Sequence, residues 1–147
     1  SVLAKTAVEN LRYAASELGA EGIRLLLEPI NYFDMPGFYL NTADQAEALI
    51  AEAGSLNIFI QFDIYHQQRM CGEIIATFLR LKDRIAHIQI ADSPGRHEPG
   101  TGEINYANVF RALESAGYDG WIGCEYRPKT TTLEGLGWMR SQIEPTI

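Results

Sequence analysis

Cysteine is scarce in this sequence: Cys71 and Cys124 are the only two among 147 residues, and they form no CxxC motif. They read as reduced intracellular thiols with a structural rather than a reactive role. Cations are in deficit as well, with 12 Lys and Arg against 19 Asp and Glu and a net charge of −7. Without a Lys/Arg stripe to override that charge, a polyphosphate is repelled, so nucleic acid is not an expected partner. No apolar run approaches the roughly 20 residues of a membrane span, so no membrane partner is expected either. The opening stretch, SVLAKTAVEN, has neither a basic n-region nor an apolar h-region. No signal peptide is read there, and the expected location is the cytoplasm. Hairpin signals and low-complexity segments are also lacking.

What is present is a chain 46% hydrophobic and 21% charged, of a length suited to a single domain over 1–147. Apolar residues at helical spacing (Val2, Leu3, Val8, Leu11, Ala14, Ala15, Leu18) predict a leading helix, stopped by Gly19 and Gly22. In IRLLLEPIN the run Leu25 to Leu27 is apolar on both faces, as a buried parallel strand is, and it ends in a carboxylate. Thr42 caps a helix over ADQAEALIAEAG that ends at Gly54. NIFIQFDIYH reads as a second strand, CGEIIATFLRLKDR as a helix and IAHIQIAD as a third strand. A loop, Ser93 to Ile104, leads to Asn105 as the cap of YANVFRALESAG; WIGCEYRP is a fourth strand and TLEGLGWMRSQI a closing helix. One leading helix and four βα units specify an α/β fold with a parallel sheet and right-handed crossovers. A loop as long as Ser93 to Ile104 is usually functional or disordered.

Each strand ends in a side chain able to bind a metal: Glu28, Asp63, Gln89 and Glu125. The intervals are 35, 26 and 36 residues, close to one βα unit each. A parallel sheet puts all four at one edge, and the curvature of a barrel turns them toward a common centre. Carboxylates converging in an apolar setting repel one another and lose solvation, and a divalent cation removes both problems. Oxygen ligands favour Mg²⁺ or Mn²⁺ over Zn²⁺. His66 lies three residues beyond Asp63, and His87 shares a strand face with Gln89. Arg96 and His97 in the Gly/Pro loop are candidates for an anionic substrate group, and Tyr32 and Asp34 for the pocket wall. Trp121 and Trp138 read as packing, and GxGE at Gly100 to Glu103 lacks the surroundings of a phosphate loop.

LLLEPIN, QFDIYHQQ, HIQIADSPGRHEPGTGEIN and GYDGWIGCEYRP together resemble the hydroxypyruvate isomerase family, with the 2-oxo-tetronate isomerases as close relatives, in the xylose isomerase-like TIM barrel superfamily. The resemblance implies the C-terminal half of a (β/α)₈ barrel, strands five to eight. It implies a metal-dependent isomerase that converts hydroxypyruvate to tartronate semialdehyde through an enediolate. Glu28, Asp63, Gln89 and Glu125 would be the metal ligands, with Glu28 and Glu125 doubling as the catalytic acid/base pair. His66, His87 and Arg96 would contact a small keto-acid or sugar substrate. The related ketose 3-epimerases usually carry His where this chain has Gln89.

Complete barrels of this kind run to about 250 residues. The expectation is therefore a homodimer that completes the barrel, or a missing N-terminal half-barrel. An alternative is a catalytically inactive half-barrel serving as a scaffold or dimerisation unit. A relative of the endonuclease IV-like nucleases would want a His-rich zinc cluster and a basic groove, against which three histidines and the charge of −7 argue.

Overall fold

The computed structural model describes residues 2–143. Strand β1 (Leu25–Leu27), β2 (Ile58–Asp63), β3 (Ile85–Ile90) and β4 (Ile122–Cys124) form one parallel sheet in the order of the chain, with β1 and β4 at its edges. The alternation of side chains along β2 explains why the sheet has two unlike faces. Ile58, Ile60 and Phe62 are buried, whereas Phe59 and Gln61 are half-buried. Ile88 and Ile90 of β3 and Leu27 of β1 join the buried set.

Against that set pack α1 (Val2–Ala20) through Val8 and Ala15, α2 (Ala43–Ala53) through Ala46, Leu49 and Ile50, α4 (Ile74–Leu81) through Phe78 and Leu81, and α5 (Tyr106–Ser115) through Val109 and Leu113. Each large aliphatic residue buried there stabilises the fold by roughly 1.5–3 kcal/mol, so truncating Ile60 or Ile88 would open the sheet–helix seam. The opposite face carries Leu26, Phe59, Gln61, His87 and Gln89, all half-buried.

The helix caps follow the sequence reading. Thr42 Oγ1 accepts from Gln45 N at 3.2 Å, Gly54 adopts the left-handed conformation (φ 68°), and Asn105 Oδ1 accepts from Asn108 N at 3.1 Å.

Several boundaries differ from it. The second strand stops at Asp63, and a short helix, α3 (Ile64–Met70), begins at once. The β-favouring pair Ile64–Tyr65 hides that switch, while Asp63 is its N-cap, accepting from Tyr65 N and His66 N. The next helix begins only at Ile74, because Gly72 (φ 63°) and Glu73 (φ 47°) are both left-handed, and it ends in a 3₁₀ turn, Lys82–Arg84. The closing helix is two helices, α6 (Thr132–Gly135) and α7 (Trp138–Ile143).

Two minor expectations are corrected. Cys71 and Cys124 are both exposed, so neither is a core residue. Trp121 does not pack: it is 86% exposed, just before the edge strand β4, whereas Trp138 does lie against the core. Among the described residues no helix is long and apolar enough to cross a membrane.

Candidate functional site

Parallel pairing brings the strand ends into one row. Glu28 follows β1, Asp63 ends β2, Gln89 is in register with Asp63, and Glu125 N donates to Ile90 O at 3.1 Å as the chain leaves β4. Gly123, in register with Gln89, leaves room on that face: a Cβ there would lie 3.0 Å from His87 Nε2 and 3.6 Å from Gln89 Cγ. His87 itself sits one pleat below Gln89, against Gly123.

Asp63 is the most enclosed member of the row, 2% exposed. Its Oδ1 accepts from Tyr65 N (2.8 Å) and His66 N (3.1 Å). Its Oδ2 is buried with no hydrogen-bond partner. Burial pushes its acid up to about pKa 6, although the two backbone N–H groups and the Arg96 charge work against the rise. Glu28 is pushed up to about 7, chiefly by burial and then by the charges of Asp63 and Glu125; Arg96 and a hydrogen bond from Gln61 oppose this.

His66 faces both acids, with Nε2 3.8 Å from Glu28 Oε1 and 3.8 Å from Asp63 Oδ2. Its other nitrogen, Nδ1, meets Asn31 N at 3.3 Å and Asn31 Nδ2 at 2.6 Å. Asp34 fixes which way the Asn31 amide points, because Asp34 N donates to Asn31 Oδ1 (2.8 Å) and Asn31 Nδ2 donates to Asp34 Oδ2 (3.0 Å). Both groups at Nδ1 are therefore donors, so Nδ1 accepts and the ring proton sits on Nε2. Burial, then the positive charge of Arg96, pulls the His66 pKa down to about 4, which keeps the ring neutral. His66 thus offers the site an N–H donor.

Arg96 comes from the loop after β3. Its Nη2 lies 2.7 Å from Glu125 Oε2 and 3.9 Å from Asp63 Oδ2, its Nη1 lies 4.0 Å from Asp34 Oδ2, and its guanidinium stacks 5.1 Å from the Tyr65 ring centroid. The loop that presents it is built on Asp92, 1% exposed, a residue the sequence reading passed over. Asp92 Oδ1 accepts from Ser93 N and Ile104 N, and Oδ2 from Gly100 N and Gly102 N. Gly102 is required there, since a Cβ would fall 2.0 Å from Ser93 O. Arg96 adopts φ 55°, clasped by Arg96 N to Asp92 O and Arg127 N to Arg96 O, both 2.8 Å.

His97 points elsewhere, with Nδ1 2.8 Å from Arg127 O, and it ties the loop to the exit of β4. Asp34 joins the site wall, accepting from Tyr65 OH at 2.7 Å, while Tyr32 is exposed. Burial would raise the Asp34 acid, but hydrogen bonds from Asn31 and Tyr65 and the nearby Arg69 and Arg96 charges lower it overall.

Glu28, Asp63 and His66 each offer an atom within 4.8 Å of the other two, a spacing that could surround one cation. Since His66 Nε2 carries a proton, the carboxylates and the Gln89 amide are the better donors to such an ion. Sequence reasoning missed Asn31, Gln61 and Asp92. Gln61 had a legible signal, because it precedes Asp63 by two residues and so shares its face.

A family model described as xylose isomerase-like TIM barrel matches residues 3–142. The chain belongs to that family. Among xylose isomerase-like relatives, hydroxypyruvate isomerase of Escherichia coli is 58% identical over 134 residues, covering 91% of this chain and 52% of the relative. The 2-oxo-tetronate isomerase of Cupriavidus necator is 48% identical over 138 residues, covering 94% and 53%. A crystal structure described as AP endonuclease, family 2 from Brucella melitensis superposes with a TM-score of 0.91 at 41% identity, covering 94% of this chain and 54% of that one. The chain thus spans about half the length of the curated relatives it matches, and its four parallel strands correspond to half of a TIM barrel.

Proposed function

We propose that this chain is the metal-binding half of an isomerase acting on short α-hydroxy carbonyl compounds of the hydroxypyruvate and 2-oxo-tetronate kind. Asp63 Oδ2 carries the reading: a buried carboxylate oxygen without a hydrogen-bond partner, near a second carboxylate and a neutral histidine and 3.9 Å from Arg96 Nη2, is the kind of donor a cation completes. Glu28, Asp63, Gln89 and Glu125 would hold it, and an all-oxygen set suits Mg²⁺ or Mn²⁺. When bound, the ion would polarise the substrate carbonyl and stabilise negative charge on the neighbouring oxygens.

The chain's own groups supply the proton traffic. One of Glu28 and Glu125 takes a proton from the hydroxyl-bearing carbon, and the other delivers one to the carbonyl carbon beside it. The hydroxyl proton passes between the two substrate oxygens, for which His66 Nε2–H is the local donor. Arg96 holds Glu125 through Nη2, and its Nη1, 4.0 Å from Asp34 Oδ2, would pair with the carboxylate of a keto acid. His87, a pleat lower, would floor the pocket.

Turnover requires the other half of the barrel, from a second copy of this chain or from a preceding stretch. The exposed edge at Trp121 and Ile122 and the half-covered face around Phe59 and Gln61 are the surfaces that it would cover.

Calorimetry with Mn²⁺ and Mg²⁺ tests the site: binding is expected for the wild type and not for Asp63→Asn or Glu28→Gln. Conversion of hydroxypyruvate to tartronate semialdehyde tests the activity, which Glu125→Gln should abolish. Metal binding without any turnover would favour the inactive-scaffold reading instead.

A further inference from the structure

Gln89 is an amide, and only its oxygen can ligate a hard cation; turned the other way, it would present an NH₂ group. Something must set that choice. Gln61 Nε2 lies 2.5 Å from Gln89 Oε1, reaching across from the neighbouring strand. In the register, Gln61 pairs with His87 and Asp63 with Gln89, so Gln61 sits one pleat below the row of acids, diagonal to Gln89.

The same Gln61 amide also acts on the Glu28 carboxyl, lowering its acid as a donor does. That second contact fixes the first. The ionised carboxylate, the form in which Glu28 would hold a metal, can only accept, so Gln61 turns its NH₂ toward Glu28, and Gln89 answers with its oxygen. The carbonyl oxygen has two lone pairs, one for Gln61 and one left for a cation.

We propose that Gln61 is a positioning residue that locks the Gln89 amide with its oxygen toward the metal site, through the chain Glu28 to Gln61 to Gln89. The inference rests on the metal reading given above and adds to it a residue outside the ligand set. Partners of this type, one step back from the ligands, govern metal affinity by about 10- to 100-fold. Gln61 differs in acting on the O/N choice of a neutral ligand as well as on its rotamer.

The test is Mn²⁺ affinity of the full chain by calorimetry, for wild type, Gln61→Leu, Gln61→Met, Gln89→Leu and the double variant Gln61→Leu/Gln89→Leu. Thermal unfolding with chelator present checks that each variant folds. Gln61→Leu and Gln61→Met should each bind Mn²⁺ at least tenfold more weakly, with little change in the metal-free unfolding midpoint. In the Gln89→Leu background, Gln61→Leu should cost less than about twofold, because there is no amide left to orient. Wild-type affinity in both Gln61 variants would overturn the proposal, and so would a full tenfold loss that persists without Gln89. Failure of the wild type to bind Mn²⁺ would remove the metal reading itself, and this inference with it.

Discussion

Arg96 Nη2 lies between two carboxylates from different strands, 2.7 Å from Glu125 Oε2 and 3.9 Å from Asp63 Oδ2. A guanidinium in that place competes with any divalent cation for the same oxygens, while holding Glu125 where the proposed proton transfer would need it. Its removal should therefore move two measurements in opposite directions. Arg96→Met is expected to tighten Mn²⁺ binding by about three- to tenfold, the scale of one unit charge at this range in a partly screened site. It should also lower turnover of hydroxypyruvate by about 100-fold or more. Calorimetry beside a steady-state assay would show this, and weaker metal binding would refute it.

Asp63→Asn should likewise split stability from function. The Asn oxygen can still accept from Tyr65 N and His66 N, and its NH₂ replaces a buried, charged oxygen that has no hydrogen-bond partner. With chelator present, the variant is expected to be more stable than wild type by about 1 kcal/mol, while Mn²⁺ binding is lost. Denaturant melts with and without Mn²⁺ would measure both.

The metal-free chain should gain stability on mild acidification. Glu28 and Asp63 have folded-state pKa values raised to about 7 and about 6, so their contribution is full at low pH and is lost as pH rises through those values. His66 works the other way: its pKa is lowered to about 4, so its contribution is present above about 6.5 and fades as pH falls toward 4. Two acids outweigh one imidazole between pH 8 and pH 6, so the unfolding midpoint in chelator should rise over that window. His66→Gln should steepen the rise, and saturating Mn²⁺ should flatten it. Melting curves at several pH values would check all three.

Asp92 should matter more for folding than for metal binding. It is buried and accepts four backbone N–H groups of the loop that carries Arg96. Asp92→Ala strands those donors and is expected to cost about 3–5 kcal/mol. Gly102→Ala should be comparably harmful, because its Cβ would meet Ser93 O at 2.0 Å. Equilibrium unfolding of each variant gives the number; a loss below 1 kcal/mol in both would contradict the hub role.

Much of this was legible in the sequence where one residue decides one local feature. Thr42, Gly54 and Asn105 announced their caps, and the apolar runs around Leu25–Leu27, Ile58–Phe62 and Ile88–Ile90 announced strands, which helices cover on one face. The strand-end row of Glu28, Asp63, Gln89 and Glu125 followed from the βα repeat. What stayed hidden depends on contacts across strands or on a reversal within a few residues. Ile64 and Tyr65 favour strand, yet Asp63 turns them into a helix by accepting from the Tyr65 and His66 amides. Asp92 reads as one more polar residue until four loop amides close on it. The proton of His66 is set by Asn31, 35 residues earlier, and no spacing rule links the two.

The sheet order gives the site one fixed jaw and one adjustable jaw. Asp63 stands on a central strand, its side chain sealed from solvent, whereas Glu125 leaves a three-residue edge strand with half its side chain exposed. Under the proposed function, substrates one carbon longer or shorter would press on the jaw that yields. Accommodation of three- and four-carbon acids is therefore expected to be written in the residues around Glu125 and Arg127, with the Asp63 wall left as it is.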